Sequence, residues 1–543
     1  MSNFKNSTVY QIYVKSFCDS NGDGIGDLNG IRSKLRYIKS LGVDYIWVTP
    51  FFLSPMVDNG YDVADYKAVN PMFGTMEDCE AMIAEADELG LGFMFDMVFN
   101  HTSSEHEWFQ KALSGDPKYM DYYIFQDNVD GNPPADWTCG FGGPAWEYVE
   151  KLDKWYLHLF DPKQPDLNWE NPEVREELKD VIRFWKGKGV KGFRFDVLNL
   201  ISKPASFDQP AGPAHRFCKD GRHVHEFIRE LVTDTGIEEM VTVGEMASTT
   251  LENCIRYSNP ENHELSMCFS FHHLKVDYLN GDKWALMPPD LVKLRSLFKQ
   301  WQEEMEKGGG WNAVFWCNHD QPRVVSRFGD EGRFWNKSAK MLATFIHLLR
   351  GTPYIFQGEE LGMTNAHFDS IDKYDDVEAI NYFHILLQNG ETEEAALKVL
   401  GERARDNGRT PMQWNAKEYA GFSEAEPWIG LPDNYGRINV EAEEDDPDSI
   451  LNYYRLLTGL RKVMKVIAEG DVCFLDSGNE KVFAYERKLD HEKLTVFCNF
   501  AGNEEQVADI IPEGNIVCGN YMDSPITGRK LRPFEAVAIL SEA

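Results

Sequence analysis

Gly192-Phe193-Arg194-Phe195-Asp196-Val197 is a short apolar run that carries an arginine and an aspartate two positions apart. In a β-strand, side chains two apart share a face, so Arg194 stands beside Asp196 and can hold it ionised. A strand that ends in a paired carboxylate suits the C-terminal rim of a parallel barrel, where function collects. Comparable apolar runs recur at residues 9–14, 45–48, 92–97, 240–243, 265–271, 313–316 and 354–356. Amphipathic stretches separate them, at 28–41, 76–89, 174–188 and 337–349 among others. Eight strands alternating with helices predict an α/β fold, a closed (β/α)8 TIM barrel.

Two segments break the rhythm. Residues 100–171 follow the third strand and are rich in Trp, Tyr, Asp, Gly and Pro, so they need a small subdomain of their own. From residue 469 onward, alternating runs such as Val482-Phe483-Ala484-Tyr485 predict a C-terminal antiparallel β-sandwich domain. The expected division is a barrel over 1–99 and 172–468, an inserted subdomain over 100–171 and a β domain over 469–543.

The 543 residues are 43% hydrophobic and 13% aromatic, enough for a large core. The 55 Lys and Arg against 88 Asp and Glu give a net charge of −33, which disfavours nucleic acid and anionic membranes as partners. The N-terminus has no basic-then-apolar secretory pattern, and no run reaches the ~18 apolar residues of a membrane span. The ten scattered cysteines form no C-x-x-C pair and read as reduced, buried thiols.

The chemistry sits where the runs end. The third is followed by Asp96…Asn100-His101, the fourth ends in Asp196, the fifth in Gly244-Glu245, and the seventh in Asn318-His319-Asp320. Converging carboxylates are costly unless hydroxyls, a guanidinium or a metal satisfy them. These blocks, in this order, resemble glycoside hydrolase family 13, the α-amylase family. Gln164-Pro165-Asp166-Leu167-Asn168-Trp169 resembles the block of its oligo-1,6-glucosidase subgroup. The resemblance spans essentially the whole chain.

It implies a retaining α-glucosidase. Asp196 would be the nucleophile, Glu245 the acid/base with its pKa raised by burial, and Asp320 the third carboxylate on the sugar hydroxyls. Arg194, His101 and His319 would serve the first subsite. Tyr61 would stack on the terminal glucose, and Asp62 would clamp it with Arg409 as partner. No cofactor takes part in the chemistry.

Asp19-Ser20-Asn21-Gly22-Asp23-Gly24-Ile25-Gly26-Asp27 places oxygen donors at alternate positions. The twelfth position is Gly30 and no helix precedes the loop, so it is not an EF-hand. It resembles the metal loop of oligo-1,6-glucosidase relatives, implying structural Ca2+ on Asp19, Asn21, Asp23, Asp27 and the Ile25 carbonyl.

Val197 after the nucleophile resembles enzymes acting on α-1,6 or α-1,1 bonds. His272 and Lys275, in Phe269-Ser270-Phe271-His272-His273-Leu274-Lys275, stand where neutral-sugar relatives resemble acids, and Lys283 follows. Lost negative and gained positive charge suits a phosphorylated leaving sugar. The stretch resembles the phospho-α-(1,1)-glucosidase branch, whose members split trehalose 6-phosphate into glucose and glucose 6-phosphate. Lys275 and Lys283 are the expected phosphate contacts, with His272 and His273 as helpers. A cytoplasmic, monomeric enzyme is implied, acting on a phosphorylated disaccharide. The alternatives are an oligo-1,6-glucosidase (isomaltase) on neutral sugars, a transglycosylase, and a non-catalytic scaffold of the same fold.

Overall fold

The computed structural model describes residues 4–523 and 529–543. Eight parallel strands close into a barrel. They are β1 (Val9–Ile12), β2 (Tyr45–Val48), β3 (Gly92–Met97), β4 (Gly192–Phe195), β5 (Val241–Glu245), β6 (Met267–Phe269), β7 (Asn312–Val314) and β8 (Thr352–Phe356). All eight expected strands are present, with ends shifted by a few residues. The chain forms two compact units. One holds Trp47–Glu88 and Gly92–Ser270; the other holds Leu89–Leu91, Phe271–Ala543 and the N-terminal segment through Ile46.

In the first unit, β4 lies between β3 and β5, with Arg194 opposite both Asp96 and Val243. Phe195 is level with Gly244, so the next residues, Asp196 and Glu245, leave their strands side by side. The helix Pro172–Gly187 (α1) precedes β4. Asn171 caps it through the Glu173 amide and Pro172 opens it, a start signal legible in the sequence. Its buried face includes Val174, Leu178, Val181, Ile182 and Trp185, the spacing of one helical stripe. The Trp185 ring meets Phe95 of β3 edge-on at 5.1 Å, so the aromatic outer face of the strands fixes the helix layer.

The inserted segment builds a three-stranded antiparallel sheet from Phe125–Asp127, Lys154–Leu157 and Trp146–Val149. It also draws on the loop after β4. Gly212–Pro213 pairs with Trp137–Thr138, and Val197, Leu200, Ala214 and Cys218 complete an apolar cluster around Trp137 and Trp146.

In the second unit, the helix expected over 28–41 is two helices, Leu28–Ser33 and Leu35–Ser40, because Lys34 leaves helical geometry (φ −108°, ψ 4°). Gly30 permits the first to lie on Cys18, since a Cβ there would sit 1.8 Å from the Cys18 carbonyl oxygen. The C-terminal domain is a five-stranded antiparallel sheet: Asp471–Leu475, Val482–Leu489, Glu492–Asn499, Ala536–Glu542 and Asn515–Gly519, in that spatial order. Its second layer is only a two-stranded ribbon, Glu505–Gln506 with Lys530–Leu531, packed through Val507 and Leu531. All ten cysteines are free and only Cys473 is exposed.

Glu359, Glu360 and Glu443 are buried in this unit. Tyr454 donates to Glu359 at 2.8 Å, Tyr10 and Tyr37 donate to Glu360, and the Leu451 amide donates to Glu443. Burial, with Glu360 adding to it, pushes the carboxyls of both Glu359 and Glu443 from the ordinary 4.5 up to about 8. Between those values the folded chain holds protons that the unfolded chain has lost, so stability falls as pH rises. Thermal melts should show Tm decreasing from pH 5 to pH 8.5, with a shallower decrease for Glu443→Gln. An equal slope in that variant rejects the assignment.

Candidate active site

The first unit assembles its charged groups on one guanidinium. Arg194, buried on β4, donates through Nη1 to Asp96 at 2.7 Å and to Asp196 at 2.8 Å, and through Nη2 to Glu245. Trp47 Nε1 and the Tyr61 hydroxyl also donate to Asp96, at 3.0 and 2.9 Å. Three carboxylates around one buried cation are tolerable because Asp96 has further fixed donors, while Asp196 and Glu245 keep part of their surface exposed. Burial, with Asp96 adding to it, outweighs the pull of Arg194 and leaves the Asp196 carboxyl raised to about 6. Asp196 is therefore an anion at neutral pH. Val197, which follows it, sits in the left-handed region (φ 36°, ψ 40°). That conformation is strained for a β-branched residue, and it marks the sharp turn on which Asp196 stands.

His101 and Tyr61 lie in the same unit. The Tyr61 carbonyl can only accept, so His101 Nε2 carries the proton it shares with it at 3.0 Å, while Nδ1 accepts from Asn100. Burial lowers the His101 pKa against the pull of Asp166 and Asp196, which favours the neutral ring. Asp62 is fully buried and accepts from Ser54 and from the amides of Val57 and Asp58.

The Gln164–Trp169 block works through burial. Gln164 Nε2 donates to Asp58 at 3.1 Å and to the Tyr61 carbonyl, Asp166 accepts from Asn100 and the Leu159 amide, and Trp169 donates to the Phe99 carbonyl. Sequence reasoning missed Lys203. Its ammonium lies 2.6 Å from Asp166 and donates to Asn100 Oδ1 and the Leu200 carbonyl. A lone lysine after a strand carries no signal of its own in sequence.

The second unit sets Asp320 between two guanidiniums and an imidazole. Arg409 Nη2 donates to it at 2.8 Å, Arg405 Nη1 at 3.3 Å, and His319 Nε2 lies 3.4 Å away. Burial alone would raise the Asp320 pKa; His319, Arg405 and Arg409 overcome it and hold the carboxyl well below the usual range. Gln11 of β1 donates to His319 Nδ1 at 2.8 Å and Tyr13 stacks on the ring. Asp376 takes both arginines, with Arg405 Nη2 at 2.6 Å and Arg409 Nη1 at 3.3 Å. Gln11, Asp376 and Arg405 were not singled out from sequence, although a lone Gln inside the apolar run 9–12 was a legible clue.

The basic residues of the 272–283 stretch differ in setting. Lys275 is exposed on the short turn His272–Lys275. Lys283 Nζ lies 2.6 Å from Glu378. The His272 ring lies 4.4 Å from that of Trp301, tilted by 30°, and the buried His273 donates to the Phe315 carbonyl.

In the expected metal loop, Asp19 accepts from the amides of Asn21, Gly22 and Gly24 and from Ser423. Asn21 and Asp23 accept from the amides of Asp23 and Ile25. Asp27 accepts from Ser20 and caps the next helix at Gly30. The oxygen-rich set suits a hard cation. Among the described residues, however, no three His, Cys, Asp or Glu side chains gather as a metal group. The fit is partial: the donor types are right, but each side-chain oxygen set is turned to the loop's own donors.

Replacing Lys203 should strand the fully buried Asp166 without its cation. Lys203→Met is expected to cost about 3–5 kcal/mol in chemical denaturation. A loss under about 1 kcal/mol would show that the pair does not hold this region together.

The α-amylase catalytic-domain family matches residues 11–470. The chain is 50% identical over 505 residues to the trehalose-6-phosphate hydrolase of Bacillus subtilis (strain 168), covering 92% of this chain and 90% of that one. It is 44% identical to the oligo-1,6-glucosidase of Bacillus cereus, covering 98% of each. The crystal structure of Bacillus licheniformis trehalose-6-phosphate hydrolase superposes with a TM-score of 0.95 at 48% identity, covering 99% of both chains. With its four charged blocks at the ends of β3, β4, β5 and β7, the chain belongs to the α-amylase family, glycoside hydrolase family 13.

Proposed function

We propose that this protein is a retaining α-glucosidase that hydrolyses trehalose 6-phosphate to glucose and glucose 6-phosphate. The observation that carries the reading is Arg194, which holds Asp196 and Glu245 on one guanidinium beside each other at the ends of β4 and β5. Two carboxyl groups that close suit covalent catalysis; inversion needs room for a water between them. The phosphorylated substrate is supported by the 50% identity to a trehalose-6-phosphate hydrolase, above the 44% to an oligo-1,6-glucosidase.

In this mechanism Asp196 attacks the anomeric carbon while Glu245 protonates the departing glycosidic oxygen. Glu245 then takes a proton from water, which displaces Asp196 and returns the α anomer. Asp320 holds sugar hydroxyls as an anion, a form favoured by the Arg405 and Arg409 guanidiniums beside it. Tyr61, Asp62, His101, His319 and Arg409 are the proposed contacts of the terminal glucose. Lys275 and Lys283 are the proposed contacts of the phosphate. A phosphorylated sugar does not cross a membrane unaided, so the cytoplasm is the proposed location, with the enzyme acting as a monomer. Among the described residues no helix is long and apolar enough to cross a membrane.

Asp196→Asn should lower kcat by several orders of magnitude, and NMR of the wild-type reaction should show α-glucose first. Initial β-glucose overturns retention. Wild-type kcat/KM should rank trehalose 6-phosphate above trehalose and isomaltose; isomaltose first would make the protein an oligo-1,6-glucosidase.

On p-nitrophenyl α-glucoside, kcat/KM should fall below an apparent pKa near 6, as protons neutralise Asp196. The aryl glucoside is required because a sugar phosphate itself titrates near ~6. A profile flat down to pH 4.5 contradicts the assignment.

A structural Ca2+ on Asp19, Asn21, Asp23, Asp27 and the Ile25 carbonyl is a further part of the proposal, supported by the oxygen spacing of the loop. EDTA should then lower Tm by several degrees and Ca2+ should restore it; an unchanged Tm removes the metal from the account.

A further inference from the structure

A charge-balanced chain leads from Lys283 to Asp320. Lys283 Nζ lies 2.6 Å from Glu378 Oε2, and the same oxygen lies 3.5 Å from Arg405 Nε. Arg405 continues to Asp376 at 2.6 Å and to Asp320 at 3.3 Å, and Arg409 closes the network on the same two aspartates. The charge of Lys283 also reaches Asp376. Three cations, Lys283, Arg405 and Arg409, stand against three anions, Glu378, Asp376 and Asp320.

The ends differ in exposure. The side chains of Arg409 and Asp376 are 2% and 1% exposed, whereas Lys283 and Glu378 are 21% and 14% exposed. Solvent reaches the chain at the Lys283–Glu378 pair as well as at Asp320. Such a chain has no spare positive charge. A phosphate arriving beside Lys283 meets a carboxylate already seated on it, and adding a dianion to three balanced pairs is unfavourable in a protein of net charge −33. Exchange removes that obstacle. If Glu378 releases Lys283 and turns to solvent, phosphate oxygens can take the Lys283 ammonium and the field of the neighbouring Arg405, whose Nε–H stays on Asp376 at 3.0 Å.

We propose that Glu378 is a place-holder for the substrate's phosphate: an internal carboxylate that keeps Lys283 in position beside Arg405 and yields it when the phosphorylated sugar binds. The inference rests on the proposed function and deepens it. It makes Lys283 a binding residue and Glu378 a specificity-determining one. It also predicts that phosphate binding is felt at Asp320, because Arg405 contacts both carboxylates. A neutral disaccharide cannot offer the replacement anion and meets the closed pair.

The test compares the ratio of kcat/KM for trehalose 6-phosphate to that for trehalose in the wild type, Lys283→Met, Lys283→Arg and Glu378→Gln. Lys283→Met should lower the ratio at least tenfold, mainly through KM for the phosphorylated sugar, and Lys283→Arg should recover part of it. Glu378→Gln should raise the ratio several-fold, because the competing carboxylate is gone. If Glu378→Gln lowers the ratio as Lys283→Met does, or leaves it unchanged, the place-holder is rejected. A second measurement needs no variant: in a crystal structure of the wild type with glucose 6-phosphate, Glu378 should have left Lys283, and a retained pair overturns the inference. A wild type that cleaves trehalose as well as its phosphate overturns the proposed function instead, so the two failures are distinguishable.

Discussion

The buried guanidinium of Arg194 is the constraint around which the first unit is organised. Asp96, Asp196 and Glu245 come from three adjacent strands, and each would be costly to bury alone. Sharing one cation lets them sit at the same level of the sheet. The register of β4 against β3 and β5 then decides everything else, since a one-residue slip would turn Arg194 toward the helix layer and its aromatic neighbours inward. The outer aromatic packing of Phe95 against Trp185 supplies the apolar burial that fixes this register.

The second unit solves the same electrostatic problem in the opposite proportion. Asp320 meets Arg405, Arg409 and His319, and a second aspartate, Asp376, balances the arginines from behind. The consequence is a division of labour set by environment. Asp196, with a single cation shared among three acids, is pushed up toward neutrality, while Asp320 is held permanently ionised. Neither behaviour belongs to the aspartate side chain itself.

Much of the fold was legible because each barrel strand is a short apolar run closed by a polar residue with a reason to be there. Asp96, Asp196, Glu245 and Asp320 were found that way. The break at Lys34, the two-stranded second layer of the C-terminal domain and the recruitment of 212–213 into the inserted segment were not legible. Each depends on what the segment packs against, and local periodicity carries no record of that partner. The same holds for His273, which looks like a ligand in the sequence and is a core histidine bonded to the Phe315 carbonyl.

By itself, the sequence determined the order of strands and helices and the identity of the acids at the strand ends. Those follow from local periodicity and from residue types that are costly to bury without purpose. Only the tertiary structure decided which cation each acid receives. Lys203 finds Asp166, Arg405 finds Asp376 and Lys283 finds Glu378 across 37, 29 and 95 positions of chain. Electrostatic pairing in a low-dielectric interior depends on distance in space, and it is folding that sets that distance.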